Sequence, residues 1–237
     1  MSMLERFDPT RESENPCYRA FASYQTGLYE RAREAIRGLG RPHVRVLDAA
    51  CGVGYGSTYL ADLGAYEGLD ADRETVERAR ARWPGATYSV ADLEDPETFA
   101  GRGEYDAITS FETAEHLRAP GVFLRHCWGA LSPGGMLCFS APTGRTRDFD
   151  PYHRRDWSAG RWEQMLSESG FGVTARHEHQ IDESFESFRT MIPVSVRQHV
   201  WAGWRAVRFG YAAARIREWL VEGRFRCRWT MWICSRG

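Results

Sequence analysis

The chain of 237 residues contains no lysine, so all 31 of its Lys and Arg positions are arginine. That absence excludes Schiff-base chemistry and phosphate loops of the Walker type, since both need a side-chain amine. The six cysteines (Cys17, Cys51, Cys127, Cys138, Cys227 and Cys234) include no Cys-x-x-Cys pair. Scattered in this way they read as reduced thiols of a cytoplasmic protein, not as a disulfide framework or a zinc site. No apolar stretch approaches the roughly 20 residues that cross a bilayer, and the first residues, Met-Ser-Met-Leu-Glu-Arg-Phe, lack a signal-peptide pattern. Excess charge of one sign is also missing. A formal net charge of −1 argues against a general polyanion binder.

The balance hides an asymmetry. From Arg189 to the end there are ten arginines against two acids, Glu218 and Glu222. Such a run is either a solvated helix face or a surface that touches phosphate or an acidic substrate. The length suits one domain spanning 1–237 with a full core, and 43% hydrophobic with 27% charged residues is ordinary globular composition. There is no internal repeat and no long linker.

Apolar and aromatic positions at near-helical spacing predict a helix over 17–38, within an N-terminal helical cap covering 1–43. Strand signals follow at 44–49, 65–70, 86–91, 105–111 and 135–141. Helix signals alternate with them at 55–63, 72–82 and 120–131, with a shorter turn near 95–100. Such alternation predicts an α/β fold: a doubly wound, Rossmann-like and mostly parallel sheet of seven strands, with helices on both faces. Pro133-Gly134-Gly135 marks a turn before a strand, and Ser158 can cap a helix that Gly170 ends. A strand at 171–179 completes a core of 44–180. A helical insertion over 181–224 and a last strand at 225–237 then bring the insertion over the carboxyl ends of the strands, where such sheets bind ligands.

Residues 46–56 read Val-Leu-Asp-Ala-Ala-Cys-Gly-Val-Gly-Tyr-Gly. A strand here feeds a tight turn with glycines at 52, 54 and 56, where backbone comes close to a ligand or to packed neighbours. Asp70 ends the second strand, where a carboxylate accepts hydrogen bonds from ribose hydroxyls. Asp72 is better placed as the cap of the next helix. Asp92 followed by Leu93 can hold an adenine amino group and its ring face. At the end of the fourth strand, Ser110-Phe-Glu-Thr-Ala-Glu-His-Leu117 gathers two carboxylates and an imidazole within five residues. That set can converge on a hard divalent cation such as Mg2+ or Mn2+, and Tyr152-His153-Arg-Arg-Asp-Trp157 can bring a second imidazole.

Asp48–Gly56, Asp70, Asp92 and the Leu131-Ser-Pro-Gly-Gly turn together resemble the class I S-adenosylmethionine-dependent methyltransferases, over about residues 44–180. A dehydrogenase would show Gly-x-Gly-x-x-Gly instead. The resemblance implies that the glycine loop holds the methionine part of the cofactor, Asp70 the ribose and Asp92 the adenine. Its cofactor contacts fall on Asp48, Ala50, Cys51, Gly52, Gly54, Tyr55, Asp70, Ala71, Asp92, Leu93 and Phe111. Glu-x-x-Glu-His with a later histidine is similar to metal-dependent O-methyltransferases of small-RNA 3′ ends and of ubiquinone biosynthesis, which implies metal ligands at Glu112, Glu115, His116 and His153. Methyltransferases without a metal carry a similar Glu-His-Leu, in which the glutamate caps a helix and the histidine packs or acts as a base. In that case His116 or His153, beside Glu115, takes the acceptor's proton.

The whole pattern also resembles a bacterial subgroup of these enzymes through Glu5-Arg-Phe, Gly54-Tyr-Gly-Ser, Ser-Phe-Glu-Thr-x-Glu-His-Leu and Pro-x-His-x-Arg-acid-aromatic. That implies O-methylation of a hydroxylated small molecule, a sugar, glycoside or natural-product intermediate. The chain departs from the subgroup at Asp150-Pro-Tyr-His-Arg-Arg-Asp and in its arginine- and tryptophan-rich segment. The alternatives are an RNA or nucleoside 2′-O-methyltransferase, an N- or C-methyltransferase of a small metabolite, and a binding module without catalysis. A near-neutral chain without a separate RNA-binding module disfavours nucleic acid. Oligomeric state stays open, a dimer included.

Overall fold

The computed structural model describes residues 9–10, 16–144, 152–183 and 225–236. Helix α1 (Pro16–Arg37) leads into β1 (Val44–Ala49). After the glycine turn come α2 (Ser57–Leu60), which continues as one 3-10 turn (Ala61–Leu63), and β2 (Gly64–Asp70). Then follow α3 (Arg73–Arg82), β3 (Thr87–Val90), β4 (Tyr105–Phe111), α4 (Pro120–Ala130), β5 (Leu131–Pro142), α5 (Ala159–Glu168), β6 (Phe171–Glu183) and β7 (Phe225–Arg236). A 3-10 turn at Pro96–Thr98 lies between β3 and β4.

The seven strands form one sheet in the order β3-β2-β1-β4-β5-β7-β6. The pairs β3–β2, β2–β1, β1–β4 and β4–β5 are parallel, while β7 runs antiparallel to both β5 and β6. The strand order reverses at β1, so the carboxyl ends of β1 and β4 frame a crevice of the kind that binds ligands. This is the expected α/β architecture, closed at one edge by an antiparallel hairpin.

Both faces of the sheet are covered, so the central strands are apolar throughout instead of alternating. Val44 and Val46 of β1 face α1 and α3 in a core with Leu28, Ala32, Ile36, Val76 and Ala79. Leu47 and Ala49 face the opposite way, into a core with Phe123, Leu124, Trp162 and Leu166 of α4 and α5. Asp72 caps α3 by accepting from the Thr75 N–H at 2.9 Å, and Ser158 caps α5 by accepting from the Arg161 N–H at 3.3 Å. Cys51, Cys127, Cys138 and Cys234 are buried free thiols.

Three element boundaries differ from the sequence expectation. The ladder with β4 begins at Leu131, and Pro133-Gly134-Gly135 forms an irregularity inside β5: Tyr105 pairs with Leu131, and the next pair is Ala107 with Met136. The expected helix over 55–63 shortens to α2 and its 3-10 continuation. Strand β6 runs on to Glu183, because β7 is long enough to pair with it as far as Phe225, so 181–183 are strand and not part of an insertion. The rest of the expected helical insertion, 184–224, lies outside the described residues, as does Glu5-Arg-Phe. No described helix is long and apolar enough to cross a membrane.

Candidate active site

The glycine turn rests on a buried carboxylate. Asp48, 1% exposed, points from β1 toward α1 and accepts hydrogen bonds from Tyr66 Oη (2.7 Å), Thr109 Oγ1 (2.8 Å) and Tyr29 Oη (3.0 Å). Burial raises it to about 6, with the three hydroxyls opposing the shift. Asp48 therefore lies beneath the turn as an internal anchor, a correction to its expected cofactor contact. A buried tyrosine needs a partner for its hydroxyl, and α1 and β2 supply two that the sequence reading did not single out.

Two of the three glycines also serve packing. A Cβ on Gly56 would lie 2.4 Å from Asp48 Oδ2 and 2.4 Å from the Tyr29 ring. One on Gly54, at φ +80°, would lie 2.8 Å from Ala79 Cβ and from Tyr88 Oη. Only Gly52, at φ +53°, faces space with nothing within 4 Å. The turn's carbonyls are pinned from below: Trp83 Nε1 donates to Val53 O at 3.1 Å, and Tyr88 Oη to Gly54 O at 3.1 Å. Tyr55 is buried, with its hydroxyl on Gln25 Oε1 at 3.0 Å, and Cys51 is buried against Gly68. Ala50 stands at φ +69°, a left-handed conformation rare without glycine, next to the open face of Gly52.

Asp70 holds the other wall. Its Oδ2 accepts from Gly52 N–H at 3.0 Å and its Oδ1 from Asp72 N–H at 3.0 Å, with exposed Ala71 between. One carboxylate oxygen is thereby held on the glycine turn and the other on the start of α3. Asp92 is exposed, its Oδ1 fixed by Glu94 N–H at 2.9 Å, while Leu93 is buried in the core beneath it. Phe111, the last residue of β4, sits edge-on to Tyr29 at 4.9 Å. The accessible positions of the expected cofactor set are thus Ala50, Gly52, Asp70, Ala71 and Asp92.

Beyond Phe111 the chain turns sharply at Glu112, at φ +51°. Glu115 is fully enclosed, and its Oε1 lies 3.8 Å from His116 Nε2 and 3.9 Å from His153 Nε2. The two rings meet edge-on, 4.7 Å apart, and one ligand atom from each of the three residues falls within 4.8 Å of the others. Burial first, and then His116, push His153 down to about 3, so its imidazole is neutral at ordinary pH.

Arginines bring His153 there. Arg154 donates its N–H to Glu115 O and its Nε to His116 O, both at 2.8 Å. Arg155 donates Nη1 to Ala114 O (2.9 Å) and Leu117 O (2.7 Å), and Nη2 to Arg118 O (3.1 Å), while its guanidinium lies over the Trp157 ring at 4.9 Å. An arginine carries a rigid fan of donors and no acceptor, so one side chain can clasp several carbonyls. The sequence shows this only as two adjacent arginines after a histidine.

Glu112 is the expected metal ligand that does not join the trio. Its Oε1 accepts from Ser140 Oγ at 2.7 Å and Tyr24 Oη at 2.9 Å. The left-handed turn sends this side chain toward α1 and β7, away from the histidines. Burial lifts it to about 7 against the Ser140 and Tyr24 donors.

Residues 47–139, from β1 through most of β5, match the model of the methyltransferase domain family. The matched stretch, under half of the chain, is similar to S-adenosylmethionine-dependent methyltransferases. The chain is 33% identical over 138 residues to a protein of Mycolicibacterium smegmatis named "Probable S-adenosylmethionine-dependent methyltransferase", covering 54% of this chain and 52% of that protein. It is 34% identical over 140 residues to the ubiquinone biosynthesis O-methyltransferase of Caulobacter vibrioides, covering 56% and 53%. Its fold resembles magnesium protoporphyrin IX methyltransferase of Synechocystis PCC 6803, solved with bound SAM, at TM-score 0.61 and 15% identity, covering 99% of this chain and 90% of that one. The chain spans about half the length of the curated relatives it matches.

Two outcomes follow for stability. Gly56→Ala forces a side chain into Asp48 and Tyr29 and should cost more than about 3 kcal/mol in urea unfolding. Gly52→Ala meets only the left-handed backbone and should cost about 1–2 kcal/mol. The reverse ranking would show that the turn is not braced from beneath. For pH, folded Glu112 holds its proton up to about 7, whereas the unfolded chain releases it near 4.5. Stability therefore falls as pH rises through that window, by up to about 3 kcal/mol at 1.4 kcal/mol per unit. Glu112→Gln, which keeps an acceptor oxygen for Tyr24 and Ser140, should flatten this part of the profile in melts from pH 4.5 to 7.5; an unaltered slope would contradict it.

Proposed function

We propose that this protein is a cytoplasmic S-adenosylmethionine-dependent O-methyltransferase. Its acceptor is a hydroxyl of a small molecule, of the sugar, glycoside or natural-product class. The observation that carries this reading is the convergence of Glu115, His116 and His153 at the carboxyl end of β4. A module that only bound the cofactor would have no use for a proton acceptor there. The name of the Caulobacter vibrioides relative supports hydroxyl chemistry.

In this reading Gly52 and the turn hold the amino-acid part of the cofactor, Asp70 its ribose and Asp92 its adenine. The sulfonium supplies the reactivity, and the protein supplies alignment and deprotonation. His116 is the partly exposed member of the trio and faces the acceptor as general base. Glu115 stabilises the imidazolium that forms, at a separation of 3.8 Å. His153, neutral through burial, is a poor base at ordinary pH and instead packs against His116 to fix its ring.

A second reading rests on the same trio. Ligand atoms around one ion with bonds of about 2.1 Å lie about 3–3.5 Å apart, so the trio, with separations of 3.8 and 3.9 Å from Glu115 and all atoms within 4.8 Å, would have to contract around an ion. Two imidazoles and one carboxylate suit a first-row transition ion better than Mg2+. Held by Glu115, His116 and His153, such an ion would lower the pKa of an acceptor hydroxyl.

Replacing both His116 and His153 with alanine should lower kcat by about 10²–10⁴ and leave the affinity for S-adenosylhomocysteine unchanged. Turnover that survives the pair of substitutions would sink the assigned centre. Calorimetric titration with Mn2+ and Zn2+ separates the two readings: one bound ion in the unsubstituted protein, absent from the double variant, selects the metal, and no binding selects the base.

A further inference from the structure

Glu112 differs from the carboxylates that pair with arginine. Asp62 pairs with Arg33, Asp106 with Arg41, Glu67 with Arg102, and Glu163 and Glu178 with Arg176. Glu112 is bonded by Tyr24 and Ser140, both neutral donors, and no arginine or histidine among the described residues forms an ion pair with it. Asp48 also has only neutral donors, but it is sealed at 1% exposure, whereas Glu112 is only partly buried. A charge taken partly out of water is costly until a partner of opposite sign meets it.

The surroundings strengthen this need. Tyr24 stacks on His179 at 4.8 Å and leans on Trp229 at 5.2 Å, and Phe21 packs on both Tyr24 and Trp229 at 5.8 Å. This aromatic wall lowers the local dielectric and favours a cation over water beside the carboxylate. The backbone is held at φ +51°, a conformation that glutamate seldom adopts and that persists where surrounding structure enforces it, characteristically at ligand sites. Glu112 also adjoins the glycine turn. Tyr24, which bonds it, is followed on α1 by Gln25, which accepts from Tyr55 of the turn at 3.0 Å.

We propose that Glu112 is an ammonium receptor: its carboxylate, fixed by Tyr24 and Ser140, takes a protonated amine of a bound ligand. The inference rests on the methyltransferase reading and adds to it the group that this carboxylate recognises. The amine comes either from the amino-acid end of the cofactor or from the acceptor. A bound cation also draws the carboxyl, now poised near neutrality, into its charged form.

The test is calorimetry on the full chain and its Glu112→Gln and Glu112→Asp variants, with S-adenosylhomocysteine and with 5′-methylthioadenosine, which lacks the amino-acid end. If the cofactor supplies the amine, Glu112→Gln weakens S-adenosylhomocysteine at least tenfold and leaves 5′-methylthioadenosine unchanged. Glu112→Asp, which keeps the charge, loses less. If the acceptor supplies it, S-adenosylhomocysteine binds all three proteins alike. Glucosamine, but not glucose, then shows ligand-observed NMR binding to the S-adenosylhomocysteine complex of the unsubstituted protein and loses it in Glu112→Gln. Equal binding of S-adenosylhomocysteine and of glucosamine by Glu112→Gln and the unsubstituted protein overturns the inference alone, as does equal weakening of both nucleosides. Failure of the unsubstituted protein to bind S-adenosylhomocysteine overturns the methyltransferase reading and the inference with it.

Discussion

The carboxylate of Asp48, closed in by Tyr29, Tyr66 and Thr109, is the interaction on which the ligand-facing end of this molecule depends. It joins the end of β1 to α1, β2 and β4 in one buried polar knot. Hydrogen bonds to a charged group are the stronger kind, worth about 1.5–3 kcal/mol each, and an unmatched buried hydroxyl would cost a similar amount. Removing any one member therefore disturbs the others. The turn above inherits its shape from this knot, since Gly56 must be small to pass Asp48 and Tyr29, and Gly54 to pass Tyr88. A glycine-rich loop is usually read as room for a ligand. Here most of that room is taken by the protein, and of the three glycines only Gly52 faces open space.

Left-handed backbone in residues other than glycine occurs at Ala50 and Glu112 among the described residues. One follows β1 and the other follows β4, the two central strands at the point where the sheet order reverses. Each such residue carries a local penalty of about 1–3 kcal/mol, so the packing beneath must over-determine it. For Ala50 that packing is the Asp48 knot together with the Cys51 N–H bonded to Leu69 O at 2.8 Å. For Glu112 it is Ser140, whose hydroxyl accepts from the Glu112 N–H and donates to its carboxylate. Rigidity in the sheet is thus what permits unusual backbone at the crevice.

Much of the fold was legible because the chain punctuates itself. Asp72 and Ser158 cap the helices that their spacing announces, and Gly170, at φ +94°, ends one of them. What escaped the sequence reading was pairing at a distance. Nothing local says that β7 is long enough to carry β6 to Glu183, because the alternation of an exposed edge strand is weak. Nor could spacing reveal that Tyr29 reaches Asp48, or that Arg155 clasps the carbonyls of Ala114, Leu117 and Arg118, since those partners are set by tertiary packing. Asp70 and Asp92 were legible as acids at strand ends, whereas Asp48 looked the same in sequence and proved to be internal. A carboxylate at the end of a strand has two faces to choose from, and only the pleat of the folded strand decides between them.

The same point governs the Glu-x-x-Glu-His run. Read as a string, Glu112, Glu115 and His116 form one cluster, and a fourth ligand from His153 would complete it. The run is split by its own first residue: at φ +51° Glu112 leaves the strand direction and is captured by Tyr24 and Ser140. Glu115 and His116 continue into the following turn, where Arg154 and Arg155 hold them against His153. Two polar centres of different chemistry result, one with a carboxylate and two imidazoles, the other with a carboxylate among neutral donors and aromatic rings. Their separation follows from α1. Tyr24 and Ser140 hold the Glu112 carboxylate, and the motif divides where those donors stand.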